Sequence, residues 1–241
     1  MKAVKEFRRF AASYGSYNII QRQTAEYLLS WVEERELGRV LDLGCGEGTL
    51  YRELSRGAFR FQEFIGIDLA EPMLRLHPRG ERIRCIRGNF DDEEFLKGLR
   101  SLRPDTLFSA SSLQWSADLD RTLSLLAPLG RRAYFALFTS GTFVSLHRSA
   151  GVISPIRSFG ETAETIERHF RVRRMERLRY RLYFDSVREM FRYIKRSGVS
   201  GGEARLNYRQ AKRLMEEYPL DYLEFELLVA ALSPRRDFSR S

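Results

Sequence analysis

Three alternate glycines, Gly44, Gly46 and Gly48, follow a short apolar run, Val40-Leu41-Asp42-Leu43, and a helix-like segment begins at Thr49. A ligand can lie against bare backbone in such a turn. Glycine tolerates positive φ and carries no Cβ, and the following helix N-terminus offers free N–H groups. Asp68 ends the next apolar segment, Phe64-Ile65-Gly66-Ile67. A carboxylate about 20 residues beyond a glycine turn is placed to accept from ribose hydroxyls. The spacing G-x-G-x-G differs from the dinucleotide fingerprint G-x-G-x-x-G, and no Lys-Ser or Lys-Thr follows to hold a terminal phosphate and its magnesium. An acidic residue in the loop in place of that lysine suits a cationic ligand. The expected contact positions are Asp42, Gly44, Gly46, Gly48, Asp68 and Leu69.

The arrangement apolar-apolar-Asp-x-Gly-x-Gly-x-Gly resembles the first motif of the class I S-adenosylmethionine-dependent methyltransferases. That resemblance implies S-adenosylmethionine as cofactor and gives further segments a role. Within Ile86-Arg87-Gly88-Asn89-Phe90-Asp91, relatives place an Asp that receives the adenine amino group where this chain has Asn89; the backbone N–H of Phe90 would serve a ring nitrogen. An amide oxygen can accept the same hydrogen bond, and Asn89 reads equally as an Asx-turn residue. Ser109 to Trp115, Ser-Ala-Ser-Ser-Leu-Gln-Trp, falls at the carboxyl end of a strand, where open α/β sheets bind ligands, so Ser109 joins the expected cofactor contacts. Trp115 reads more simply as packing between sheet and helix. Neither the Asn/Asp-Pro-Pro-aromatic segment of amino-methylating nucleic-acid enzymes nor the Pro-Cys of cytosine-C5 enzymes occurs here, which argues against base methylation.

These residues need a scaffold, and the hydrophobic periodicity supplies one. Helices are expected over Val4 to Tyr14 and Asn18 to Glu34, the second with Ile19, Ile20, Ala25, Leu28, Leu29 and Val32 at helical spacing. Strands are expected at Arg39 to Leu43, Glu63 to Asp68, Ile83 to Arg87, Asp105 to Ala110 and Arg132 to Thr139, with helices between them. This is the rhythm of a doubly wound α/β protein with a mostly parallel, Rossmann-like sheet. The rhythm changes after Thr139. A Gly/Ser/Pro-marked stretch from Ser140 to Gly160 leads to a helix at Thr162 to His169 and a long alternating strand ending at Phe184. There Arg177, Arg179 and Arg181 fall opposite Leu178, Tyr180 and Leu182, as on a half-exposed edge strand. Helices at Ser186 to Ser197 and Tyr208 to Glu217 precede a final antiparallel strand from Tyr222 to Leu232. The expected organisation is one domain over residues 1–241 with seven strands, a helical cap at 1–36 and a substrate lid at 140–170 inserted after strand five.

The bulk composition narrows the class. The 241 residues are 43% apolar and 12% aromatic, as in a globular protein, and no apolar run is long enough to span a bilayer. Charge interrupts the N-terminus at Lys2, Lys5 and Glu6 before any signal-like apolar region forms, so a cytoplasmic protein is expected. Two cysteines, Cys45 and Cys85, and three scattered histidines, His77, His147 and His169, support neither a disulfide framework nor a metal site. The net charge of +9 is compatible with nucleic acid, an anionic carrier protein or a solvated arginine-rich surface; its being carried mostly by arginine gives weight to an anionic partner, while most of the arginines read as solvated.

Across nearly its whole length the chain resembles one branch of the superfamily, the malonyl-acyl-carrier-protein O-methyltransferases of biotin synthesis. The resemblance rests on Phe10-Ala11-Ala12-Ser13-Tyr14, Gln21-Arg22-Gln23-Thr24-Ala25, Leu113-Gln114-Trp115, the Gly141 to His147 loop, Arg157-Ser158-Phe159, Gly198 to Gly202 and Tyr218-Pro219-Leu220. It implies methyl transfer to the free carboxylate of a malonyl thioester borne by an acidic acyl carrier protein or by CoA, with no nucleic acid or membrane partner. Tyr14, His147 and Arg157 are the residues it nominates to position that carboxylate. Two other readings compete: a small-carboxylate enzyme similar to the trans-aconitate methyltransferases, and a non-catalytic cofactor- or RNA-binding module, motivated by Asn89 and the basic charge.

Overall fold

The computed structural model describes residues 18–197 and 214–235. Seven strands form one sheet: β1 (Arg39–Leu43), β2 (Glu63–Asp68), β3 (Ile83–Arg87), β4 (Thr106–Ala110), β5 (Arg132–Phe138), β6 (Phe170–Tyr183) and β7 (Tyr222–Pro234). Their order is β3-β2-β1-β4-β5-β7-β6. The first five are mutually parallel, β7 runs antiparallel to β5, and β6 runs antiparallel to β7 at the edge. The order reverses between β1 and β4, and at such a switch point the strand carboxyl ends open a crevice. The glycine turn leaves β1 and the Ser-rich turn leaves β4, so the two meet there.

The helices are α1 (Ile19–Leu29), α2 (Thr49–Arg56), α3 (Glu71–Leu76), α4 (Glu93–Gly98), α5 (Leu119–Leu126), α6 (Val144–Ala150), α7 (Phe159–His169) and α8 (Val187–Ser197). Alternation along each strand divides the core between two faces, because successive side chains point to opposite sides of a sheet. Val40, Phe64, Phe108, Tyr134 and Phe225 pack with Ala25, Leu28 and Leu54 of α1 and α2 on one face. Leu41, Leu43, Ile65, Ile67 and Phe135 pack with Leu96, Leu123 and Ile166 of α4, α5 and α7 on the other. Asp42 belongs to the α1/α2 face, which sets a carboxylate under the glycine turn.

Several boundaries differ from the sequence expectation. α1 stops at Leu29, and the chain turns at Ser30 and Trp31, whose amides bond to Glu26, Tyr27 and Leu28 carbonyls. The expected continuation to Glu34 is a loop that carries Leu37 into the core. A 3₁₀ turn at Leu99–Leu102 follows α4. α6 appears inside the stretch read as irregular, and α7 starts at Phe159 rather than Thr162 because Ser158 and Glu161 form a reciprocal capping box. The N-terminal helix, the segment Gly198 to Gly202 and most of the Tyr208 to Glu217 helix lie outside the described residues. β6 is the half-exposed edge strand that its alternation implies: Arg177 and Arg179 reach Glu226 of β7, and Arg181 lies over Tyr222.

Candidate functional site

A cleft of about 1080 Å³ lies over the carboxyl ends of β1, β2 and β4, roofed by α6 and the strap that follows it. Its floor is the glycine turn. Gly44, Gly46 and Gly48 all have positive φ, at 74°, 55° and 89°. The amides of Gly44 and Cys45 both donate to the Ile67 carbonyl, at 2.8 and 2.9 Å, which stitches the turn to β2. The three glycines then serve different ends. A Cβ on Gly44 would meet Ser112 Cβ at 2.2 Å, and one on Gly48 would meet Pro78 Cδ at 2.6 Å, so both are demanded by packing. A Cβ on Gly46 would meet only Met73, at 3.6 Å, so Gly46 leaves its backbone bare toward the cleft.

Two carboxylates sit beneath this turn. Asp68 Oδ2 accepts from the Gly46 amide at 2.9 Å, and Oδ1 accepts from the Ala70 amide at 2.7 Å. Burial raises the Asp68 pKa, against the lowering effect of those backbone donors. Asp42 is 1% exposed, and burial together with the charge of Asp68 pushes its pKa up to about 8. Its Oδ2 has no hydrogen-bond partner among the described residues. Glu47 adds a third acid, tied to Asn18 Nδ2 at 3.1 Å, so the start of α1 holds the loop in place.

The far wall comes from the β4 turn and the roof. Ser111 takes positive φ, 68°, at the end of β4. Ser109 is fully buried and does not line the cleft; its hydroxyl pairs with Ser112 Oγ at 2.7 Å, and Ser112 in turn donates to the Leu43 carbonyl at 2.6 Å. Ser109 therefore supports the turn from below. Leu69, Asn89 and Phe90 line the cleft, and so does Trp115, in place of the packing between sheet and helix that the sequence suggests. Asn89 also closes an Asx turn, its Oδ1 accepting from the Asp91 amide at 3.0 Å.

His147 and Arg157 lie on the roof side of the same cleft, whereas Tyr14 lies outside the described residues. Burial lowers the His147 pKa and keeps the ring neutral at pH 7, and its Nδ1 lacks a partner among the described residues. Arg157 donates to the Ser116 and Ala117 carbonyls at 3.0 and 3.1 Å, and the capping box of α7 fixes the residue after it. The cleft-lining part of the expected lid ends at Glu161; from Thr162 onward α7 packs into the core.

The cleft is thus short of partners. Asp42 Oδ2, Ser111 Oγ, Gln114 Oε1, His147 Nδ1 and Ser154 Oγ all line it, and all are buried and unpaired among the described residues. Buried polar atoms are normally satisfied, so the set implies a polar ligand. A ligand with hydroxyls, an ammonium and a sulfonium fits the acids on the floor, which makes the residues compatible with S-adenosylmethionine. Sequence reasoning finds the acid at Glu47 in the glycine loop but misses Ser112 and Asn18. The clash at Gly44 and the bonds across 29 residues of chain that give these residues their roles leave no local signal. Among the described residues no cluster suits a metal ion, and no helix is long and apolar enough to cross a membrane.

Comparison with known proteins agrees with this geometry. The methyltransferase-domain family profile matches residues 41–129, the span from β1 to the end of α5. A malonyl-acyl-carrier-protein O-methyltransferase of Chlorobium luteolum is 31% identical over 214 residues, covering 81% of this chain and 78% of the relative. Among solved structures, the YcgJ protein of Bacillus subtilis superposes with a TM-score of 0.63 at 15% identity, over 88% of this chain and 99% of that one. Phosphoethanolamine N-methyltransferase 2 of Haemonchus contortus, in complex with S-adenosyl-L-methionine, superposes with a TM-score of 0.55 at 15% identity, over 88% of this chain and 53% of that one.

Proposed function

The chain belongs to the malonyl-acyl-carrier-protein O-methyltransferase family and is an S-adenosylmethionine-dependent O-methyltransferase; from that premise we propose that its acceptor is the free carboxylate of a malonyl thioester on an acyl carrier protein, esterified as an early step of biotin synthesis. The observation that carries the reading is the pairing in one cleft of an acid-floored glycine turn with a roof bearing Arg157 and a neutral His147.

Bound in this cleft, S-adenosylmethionine supplies a methyl group activated by its sulfonium. Gly46 would let it approach the turn, Asp68 would accept from the ribose hydroxyls, and Asp42 and Gln114 Oε1 would accept from its ammonium group. Asn89 and Phe90, which line the cleft, would hold the base. A carboxylate retains unused lone pairs after two backbone hydrogen bonds, so Asp68 can stabilise the loop and still accept from a ligand. The acceptor carboxylate is ionised at neutral pH, and so no general base is needed. The work left to the protein is positioning and exclusion of water, which can lower a bimolecular barrier by roughly 7–11 kcal/mol.

Arg157 suits the positioning of that acceptor. Two of its five N–H groups are spent on carbonyls, and the others remain for an incoming carboxylate. His147 can donate without adding a second positive charge that would dull the nucleophile. The cleft mouth supports a carrier-borne substrate. Arg148 lines it with no ion pair among the described residues, beside Ile153, which is 94% exposed, and Val144, which is 39% exposed. An acidic carrier would meet the cation, and its acyl arm would cross the apolar pair.

The test offers the protein malonyl-carrier protein, malonyl-CoA and free di- and tricarboxylates with labelled S-adenosylmethionine. Turnover of the malonyl-carrier protein is expected to be the fastest. Methylation of free acids alone would reject the malonyl thioester and leave a small-carboxylate enzyme.

A further inference from the structure

We propose that Asp91 is a positioning residue for acceptor capture: its carboxylate and the Arg157 guanidinium hold opposite ends of one peptide unit, so the loop beside the cofactor sets the place of the arginine that meets the acceptor. The proposal rests on the reading of Arg157 given above.

The Ala117 amide donates to Asp91 Oδ1 at 3.0 Å, and Arg157 Nη1 donates to the Ser116 carbonyl at 3.0 Å. Those two groups belong to the same peptide bond. In a trans peptide the N–H and C=O point in opposite directions, so an anion and a cation lie at the two ends of one dipole. Both hydrogen bonds are charge-assisted, and each polarises the peptide in the direction that strengthens the other. The Ser116 hydroxyl repeats the link, sharing Asp91 Oδ1 at 3.0 Å and Thr122 Oγ1 of α5 at 2.8 Å.

Both ends of the chain of contacts are themselves fixed. Asp91 is held by its own amide, which donates to Asn89 Oδ1, and Asn89 and Asp91 both line the cleft. On the other side the Arg157 carbonyl accepts from the Ser140 amide at 2.8 Å, just past β5, and Ser158 caps α7. The 89–91 turn and the 152–158 strap come from distant parts of the sequence and are joined through the Ser116–Ala117 peptide. Without the Asp91 carboxylate the Ser116–Ala117 peptide loses the acceptor of its N–H, and the Ser116 carbonyl that orients Arg157 is held less firmly. Asp91 thus acts on the acceptor side of the cleft although it stands two residues from Asn89 on the cofactor side.

The experiment compares wild type, Asp91→Ala and Asp91→Asn in the full chain. Asp91→Ala is expected to raise KM for the carboxylate acceptor roughly tenfold, the loss of about one charge-assisted hydrogen bond. Its kcat and the Kd for S-adenosylmethionine by calorimetry should stay within about twofold. Asp91→Asn keeps an acceptor oxygen and should recover most of the wild-type KM. Hydrogen exchange supplies a readout that needs no acceptor: amides of 117 and 152–158 should exchange faster in Asp91→Ala, while those of 44–48 do not change. The proposal is overturned if cofactor affinity falls while KM and strap exchange stay at wild-type values, since Asp91 would then be a cofactor contact. If wild type methylates no carboxylate, the acceptor reading fails, and the exchange data still decide for or against the clamp. Should Asp91→Ala not accumulate, Asp91→Ser, too short to span both donors, takes its place.

Discussion

The glycine turn makes two demands that a single methyl group can separate. At Gly44 an added Cβ meets Ser112 Cβ at 2.2 Å and Oγ at 2.3 Å, in a backbone with φ of 74°. Left-handed backbone costs a non-glycine residue about 1–2 kcal/mol. Ser112 would also have to move, leaving the buried Leu43 carbonyl unpaired, at about 1–3 kcal/mol. Gly44→Ala should therefore lose about 2–5 kcal/mol of stability. At Gly46 the backbone term is similar, but the nearest atom to the new methyl is Met73 Cε at 3.6 Å. The stiffer unfolded chain returns about 0.4–1 kcal/mol, so the net loss is about 1 kcal/mol. The methyl instead occupies ligand space in the cleft, and overpacking of about 2 kcal/mol corresponds to roughly a thirtyfold rise in Kd for S-adenosylmethionine. Urea unfolding without ligand and calorimetric titration measure the two effects separately. Ser112→Gly in the Gly44→Ala background should recover part of the stability, because it removes the atoms that clash. Equal stability losses at both positions, or an unchanged Kd for Gly46→Ala, would refute this division of labour.

Other perturbations follow from the same cleft. Asp68→Ala removes the acceptor for the Gly46 and Ala70 amides as well as the proposed ribose partner, so it should weaken S-adenosylmethionine binding at least tenfold, roughly 1.4 kcal/mol or more; unchanged calorimetric affinity would remove Asp68 from the site. The folded-state pKa of Asp42 lies above its ordinary value of 3.8, at about 8. Its stabilising contribution is therefore complete below the unfolded pKa and lost as pH rises toward 8. Asp42→Asn, which mimics the neutral form, should stabilise the ligand-free protein by a margin that grows from about pH 4 to about pH 8 and then levels, read from urea midpoints across that range. Arg148→Glu at the cleft mouth should raise KM for a carrier-borne acceptor and flatten its salt dependence, while leaving a small malonyl thioester unaffected. Equal effects on both acceptors would show that Arg148 acts inside the cleft.

What could be read in advance was whatever repeats with a short period or depends on one residue type. The two-residue alternation of Val40, Phe64, Phe108 and Tyr134 against Leu41, Ile65, Leu107 and Phe135 divides the faces of the sheet, and positive φ singles out glycine, so the strands and the turn were legible. The arginine alternation on β6 announced an edge strand for the same reason. Helix ends were less legible, because they depend on a competition between local bonds. At α7 the decision belongs to the pair Ser158 and Glu161, visible as S-x-x-E once a helix is suspected but weak beside the Gly160 that argues for a loop.

The cleft shows why the remainder was hidden. Ser109 matches the position where a cofactor contact is expected, yet the pleat of β4 turns its side chain away from the cleft, and the adjacent Ser111 and Ser112 reach it instead. Two residues separate the supporting Ser109 from the cleft-lining Ser111, and a run of Ser-Ala-Ser-Ser contains no information to choose between them. Asn89 is ambiguous in another way, since its oxygen is engaged in the Asx turn while the residue still faces the cleft, so a single side chain carries both readings at once. Arg157 is the extreme case. Its placement depends on a peptide 40 residues away, on the Asp91 carboxylate behind that peptide and on the Ser140 amide. Such a position is specified by the closed fold, and so the proposed acceptor side of the cleft is reached through tertiary contacts where the proposed cofactor side is reached through sequence.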